Sequence, residues 1–114
     1  MWTRRLHRGA AGRQATLRFL IDSGASYTVL PLETWQALAL APKRKAQLVL
    51  ADGTVIERQV SECHIALAQG EGHTPVILGE RGDQALLGVV TLKILGLVLN
   101  PLTRALQPMR MMLA

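Results

Sequence analysis

Phe19-Leu20-Ile21 runs without a break into Asp22-Ser23-Gly24-Ala25, and that junction constrains the chain more than any other stretch. Three bulky apolar residues favour an extended strand packed on a core. A carboxylate, a hydroxyl and a glycine then end it. Gly24 permits a sharp turn with no Cβ in the way, so Asp22 is expected at a rigid strand end, where a catalytic carboxylate would be held. A second apolar run, Ala85-Leu86-Leu87-Gly88-Val89-Val90, also breaks on glycine and leads into a helix-like segment.

The chain has 114 residues, the size of one domain, with enough core to fold without a metal or a disulfide. Cys63 is its only cysteine, which excludes an intrachain disulfide framework and a cysteine-rich zinc site. The simplest reading is a reducing, cytoplasmic setting. The longest apolar run, from Ala85 onward, is broken by Gly88, Thr91, Lys93 and Gly96, short of the roughly 20 residues of a membrane span. No membrane partner is expected. The net charge of +5 arises largely because Arg4, Arg5, Arg8, Arg13 and Arg18 precede the first acid, Asp22. Lys43-Arg44-Lys45 is the other basic cluster, and no aromatics interleave with it to stack bases. Nucleic acid is therefore not the expected partner.

Residues 1–15 read as a flexible basic arm, with the fold beginning near Thr16; 16–108 read as the domain and 109–114 as a tail carrying Met109, Met111 and Met112. Strands are expected over 16–21 and 27–30. Pro31 opens a short helix in which Leu32, Trp35, Leu38 and Ala39 recur at helical spacing, making Trp35 a core anchor. Strands over 46–50 and 55–60 flank Ala51-Asp52-Gly53-Thr54, where Asp-Gly signals a two-residue hairpin turn. A strand over 63–68 follows, then a glycine-rich turn through Gly70, Glu71 and Gly72, and a returning strand over 75–78. The buried strand 85–87, a helix over 89–95 and short strands at 97–99 and 104–106 complete the chain. After Leu106 comes Pro108, a residue that strands exclude from their interiors. Many short strands separated by turns indicate an all-β barrel or sandwich with one or two short helices.

The order of these blocks resembles the retroviral-type (retropepsin-like) aspartic proteases: a hydrophobic pair, Asp22-Ser23-Gly24-Ala25, a hairpin flap, then Leu86-Leu87-Gly88 before a short helix. The run Ser23-Gly24-Ala25-Ser26-Tyr27-Thr28-Val29-Leu30-Pro31 is similar to that of small prokaryotic relatives of those enzymes. The resemblance implies a closed acid-protease-type β-barrel and an aspartic endopeptidase without metal or organic cofactor. Such chemistry needs two carboxylates about 3 Å apart, one ionised and one protonated. Asp52 sits at a turn and Asp83 in a loop, so one chain supplies only Asp22. The solution is a homodimer in which Asp22 and its symmetry mate share a proton.

The resemblance further assigns catalytic places to Asp22, Ser23 and Gly24. Ser23 would bond across the dimer and the Gly24 amide would steady the carboxylate. Ala25, Leu87 and Gly88 would lie along the substrate channel, Gly88 letting the helix pack close beneath the Asp22 loop. Ala51, Asp52, Gly53 and Thr54 would form the flap tip that closes over an extended protein or peptide substrate. Where retroviral members commonly pair an aspartate with an arginine, this chain has Ser26 and Val89. Those same residues leave open a peptide-binding or scaffold module without catalysis.

Other hydrolytic chemistries lack their residues. Ser23, Ser26 and Ser61 have no Gly-x-Ser-x-Gly setting, His-Glu-x-x-His is absent, and His7, His64 and His73 are scattered without ligand spacing.

Overall fold

The computed structural model describes residues 2–8, 13–22 and 24–109. Its elements are β1 (Trp2–Arg8), β2 (Gln14–Ile21), β3 (Thr28–Leu30), α1 (Leu32–Ala37), β4 (Arg44–Val49), β5 (Val55–Leu67), β6 (Gly70–Leu78), β7 (Leu86–Leu87), α2 (Val89–Ile94), β8 (Leu97–Leu99) and β9 (Leu106–Pro108). The protein is mostly β with two short helices. Neither helix is long and apolar enough to cross a membrane.

One sheet runs in the order β1-β2-β7-β3-β6-β5-β4, with a further β1–β5 pairing, and β8-β9 form a separate two-stranded sheet. The large sheet thus curls back through β1, while among the described residues β4 has β5 as its one neighbour. The smooth closed barrel expected from the resemblance is not the arrangement. β4 and the first part of β5 project as a hairpin, because β6 pairs with β5 only from Gln59 onward.

Residues 2–8 correct the expectation of a free N-terminal arm. They form β1, paired with β2 from Trp2↔Leu20 to Arg8↔Gln14 and with β5 at Leu6, His7 and Arg8. The run of arginines had hidden a strand whose backbone needs only a neighbour to pair with.

β5 is one strand of 13 residues, where two were expected. Its burial alternates from Val55 to Val60, then shifts phase because Val60 and Ser61 are both buried. The strand leaves the projecting hairpin and enters the core there, and the buried side passes to Ser61, Cys63, Ile65 and Leu67 while Glu62 stays exposed. Ser61 keeps its hydroxyl satisfied by donating to Ala41 O at 2.7 Å.

Gly70 and Gly72 belong to β6 and not to a turn. A Cβ on Gly70 would lie 3.3 Å from Leu95 O, and one on Gly72 would lie 3.2 Å from Leu95 Cδ2. Small residues there let the end of α2 pack on the strand.

The core gathers Phe19, Ile21, Leu30, Leu38, Ile65, Val76, Leu87, Leu92, Leu97 and Leu106 from almost every element. Each fully buried side chain of this kind contributes roughly 1.5–3 kcal/mol. Trp35 packs against this core as expected, and its indole N–H donates to Gly79 O at 2.8 Å.

Candidate active site

Asp22 follows the last residue of β2, whose partner Leu87 lies in β7. The Asp22 N–H donates to Leu87 O at 3.4 Å, and Ala25 N–H donates to Asp22 O at 3.0 Å. Its carboxylate is exposed. Oδ1 accepts the Gly24 N–H at 2.9 Å, and a Cβ on Gly24 would stand 3.2 Å from that oxygen. Glycine therefore gives its amide an unhindered approach to the acid. Ser23 lies outside the described residues. Ala25 is half-buried.

The loop rests on the start of α2. Val89 N–H donates to Ala25 O and Val90 N–H to Ser26 O, each at 2.9 Å. Ser26 and Val89, where the resemblance noted a missing Asp–Arg pair, each take part in one of these main-chain bonds, Ser26 with Val90 and Val89 with Ala25. Gly88 makes the contact possible. A Cβ there would fall 2.4 Å from Tyr27 C and 2.6 Å from Tyr27 O, distances no side chain tolerates.

Beneath this seat lies a feature that sequence reasoning missed. Gly88 N–H donates to Thr28 Oγ1 at 3.0 Å. Thr28 and Thr91 hydroxyls are 2.6 Å apart, and those of Thr91 and Thr74 are 2.9 Å apart. Thr74 donates to Pro75 O at 3.2 Å. That last bond orders the chain, since Thr74 Oγ1 then accepts from Thr91 and Thr91 Oγ1 accepts from Thr28. Each hydroxyl donates once and accepts once. All three threonines are buried, and a low-dielectric setting strengthens such a chain while making any gap in it costly. Threonine is a common strand residue, as at Thr28 and Thr74, and Thr91 is one hydroxyl between Val90 and Leu92 in the short helix α2, so nothing local distinguished these three.

The projecting hairpin spans β4 and the start of β5 in the register Arg44↔Val60 to Val49↔Val55. Its turn is longer than the two residues expected. Gly53 N–H donates to Leu50 O, and Leu50 N–H donates to Thr54 O, leaving three residues in the loop. Gly53 has φ +87°, the left-handed conformation that ends a three-residue hairpin loop. Asp52 Oδ1 accepts Thr54 N–H at 2.9 Å. Hydrogen bonding from Thr54, side chain first and backbone second, holds the Asp52 carboxyl below its ordinary range. Ala51, Asp52, Gly53 and Thr54 are all exposed at the tip.

Between this hairpin and the sheet lies a cavity of about 160 Å³ lined by Val29, Leu48, Leu50, Ile56, Ile77 and Leu86, with Arg58, Asp83 and Gln84 at its polar side. Leu87, expected along the channel, is fully buried, and Gly88 is buried as well. Alternation along β7 turns Leu86 to the cavity and Leu87 to the core. Arg58 stands where β5 passes beyond its pairing with β6. Its Nη1 lies 2.7 Å from Glu80 Oε2 and its Nε 3.1 Å from Asp83 Oδ2, tying the hairpin root to the loop that leads into β7. Among the described residues no group of three or more His, Cys, Asp or Glu could hold a metal ion.

The fold, with the Asp22 carboxylate at a strand end and its loop seated on the Gly88-led start of α2, is that of a retropepsin-like aspartyl protease domain. The pattern of the gag-polyprotein putative aspartyl protease family matches residues 10–94, and the chain belongs to that family. No curated protein matches it.

Proposed function

We propose that the protein is a homodimeric aspartic endopeptidase that cuts extended protein or peptide segments. One observation carries this reading: the exposed Asp22 carboxylate, held by the Gly24 amide on a loop that Gly88 and α2 keep in place. In the dimer the two Asp22 side chains share one proton, because adjacent like charges do not both ionise cheaply. The ionised carboxylate takes a proton from water as the water oxygen bonds to the scissile carbonyl carbon. The protonated one donates to the carbonyl oxygen. Collapse of the tetrahedral intermediate breaks the C–N bond, and a carboxyl proton passes to the leaving nitrogen. The hairpin acts as a flap, and the apolar cavity beneath it takes a substrate side chain.

The test is Asp22→Asn against a peptide library. Because Asp22 is exposed, the variant keeps the parent's circular dichroism and melting behaviour while cleavage falls by about 10²–10⁴-fold. Undiminished cleavage by Asp22→Asn refutes the mechanism. A second reading is favoured by the cavity being complete within one chain: a single copy would hold an extended peptide without cutting it. Peptide binding with no Asp22-dependent cleavage would select that module.

A further inference from the structure

β6 leaves β5 at Gln59↔Leu78, and Gly79 N–H turns away to Leu30 O at 2.8 Å. Among the described residues, the root of the projecting hairpin therefore has no strand beside it on that flank. Its register with β4 fixes which groups face the gap. Leu50 N–H donates to Thr54 O and Lys43 N–H to Val60 O, each at 2.8 Å, so positions 54, 56, 58 and 60 bond toward β4. In an antiparallel pair the positions between them point the other way, which turns the main-chain groups of Val55, Glu57 and Gln59 away from β4. Gln59 meets β6. Glu57 O accepts from Arg58 Nη1 at 3.0 Å, whereas among the described residues no main-chain acceptor meets Glu57 N–H.

A cavity of about 300 Å³ opens against this flank, distinct from the one under the hairpin. Leu32 and Trp35 of α1, with Pro42 and Leu78, give it an apolar floor, and Glu57, Gln59 and Glu80 give it polar sides. Arg58 lines both cavities. Its side chain is 15% exposed and committed to Glu80 and Asp83, so it offers a ligand little charge. The two carboxylates are open to a ligand, the side chains of Glu57 and Glu80 being 58% and 66% exposed. Lys45 Nζ stands 3.7 Å from Glu57 Oε1, a solvated pair that contributes little and exchanges readily.

We propose that this pocket is an exosite that takes an arginine or lysine side chain from an extended polypeptide lying along the free flank of β5. The aliphatic stem rests on Trp35 and Leu78, and the cation reaches Glu57 and Glu80. A main-chain carbonyl of the ligand accepts the Glu57 N–H, as in strand addition. Three observations select this occupant. The space is at the small end for ligand pockets and suits one long side chain. Acidic groups stand over an apolar floor, which matches a cation on an aliphatic stem. The unused donor at Glu57 calls for a backbone acceptor, which a polypeptide carries and a simple amine lacks. The site is separate from Asp22, so it holds whether or not the protein cleaves. In a cleaving enzyme it would anchor a basic stretch of substrate outside the cleft.

The test uses the full chain as Asp22→Asn, so that a peptide under titration is not cut, and reads two-dimensional NMR. The probes are an acetylated, amidated pentapeptide with arginine at its centre and alanine and valine around it, the same peptide with glutamine for arginine, and arginine amide alone. The arginine peptide should give saturable shifts at the Glu57 amide and the Trp35 indole N–H. The glutamine peptide should bind at least about tenfold more weakly, as expected for losing charge-assisted bonds. Glu57→Gln and Glu80→Gln should each weaken the arginine peptide by about threefold to fivefold, the order of a partly solvated ion pair, with an unchanged far-UV spectrum. Equal binding of the two peptides overturns the proposal. So do shifts confined to Leu48, Ile56 and Leu86 under the hairpin, or no saturable shift at millimolar peptide. Arginine amide binding as tightly as the pentapeptide overturns the polypeptide as occupant. Cleavage by the parent that ignores Asp22 would sink the protease reading and leave the exosite standing. Asp22-dependent cleavage without the Glu57 and Trp35 shifts would do the reverse.

Discussion

Replacing Thr91 by valine removes one oxygen and keeps the shape, which isolates the buried hydroxyl chain under the Asp22 loop. Thr91 Oγ1 is its centre, 2.6 Å from Thr28 and 2.9 Å from Thr74. Without it the Thr28 hydroxyl has no acceptor, and a buried donor left in that state costs roughly 1–3 kcal/mol. Thr74 loses its incoming bond but still donates to Pro75 O, a net loss of about 1 kcal/mol. Together these give about 2–4 kcal/mol of destabilisation. For a domain of this size each kcal/mol lowers Tm by roughly 4 °C, so thermal unfolding should shift down by about 8–16 °C. Thr28→Val combined with Thr91→Val removes both partners of the shortest bond, and its cost should fall short of the summed single losses by about 1 kcal/mol. Differential scanning calorimetry of the parent, both single variants and the double variant measures this directly. A Thr91→Val protein melting within about 2 °C of the parent, with the singles adding to the double, would refute the account of an ordered, fully satisfied chain.

Three further outcomes follow from the same geometry. Gly88→Ala forces a methyl into Tyr27 backbone, so it should cost at least about 1–3 kcal/mol as overpacking and depress cleavage further than unfolding alone explains; calorimetry paired with a peptide assay checks it. Burial pushes the Cys63 thiol from 9.0 up to about 12. The folded state thus holds the proton that the unfolded state gives up, and stability, level below pH 9, should fall between pH 9 and 12 by at most about 1.4 kcal/mol per unit; urea titrations across that range should lose this slope in Cys63→Ala. Arg58→Gln frees the hairpin root from Glu80 and Asp83, so amides of 46–57 should exchange several-fold faster by mass spectrometry while stability drops by only about 1 kcal/mol, both acids being partly solvated.

Much of the fold was legible because its cues are local. The alternation over β2, the helical spacing of Leu32, Trp35 and Leu38, and the turn at Gly53 each depend on residues a few positions apart. The misreadings share a cause. β1 looked like an arm because arginines on a strand give no apolar alternation, and Gly70 and Gly72 looked like a turn because only the arrival of Leu95 from α2 explains small residues there. Two strands were read where β5 is continuous because the strand changes surroundings at Val60 and Ser61. At the site, the apolar run Leu86-Leu87 could not disclose which leucine meets the cavity.

By itself the sequence determined that Asp22 would stand at the end of a strand, with a glycine beside it and a hairpin elsewhere in the chain, because backbone preference and turn chemistry act within a few residues. Only the tertiary structure decided what holds that carboxylate. Thr28, Thr74 and Thr91 come from three separate elements, and Gly88 is required by Tyr27, some sixty positions earlier. Their roles depend on which face each strand turns toward its neighbours, a property of the packed sheet that no single segment carries.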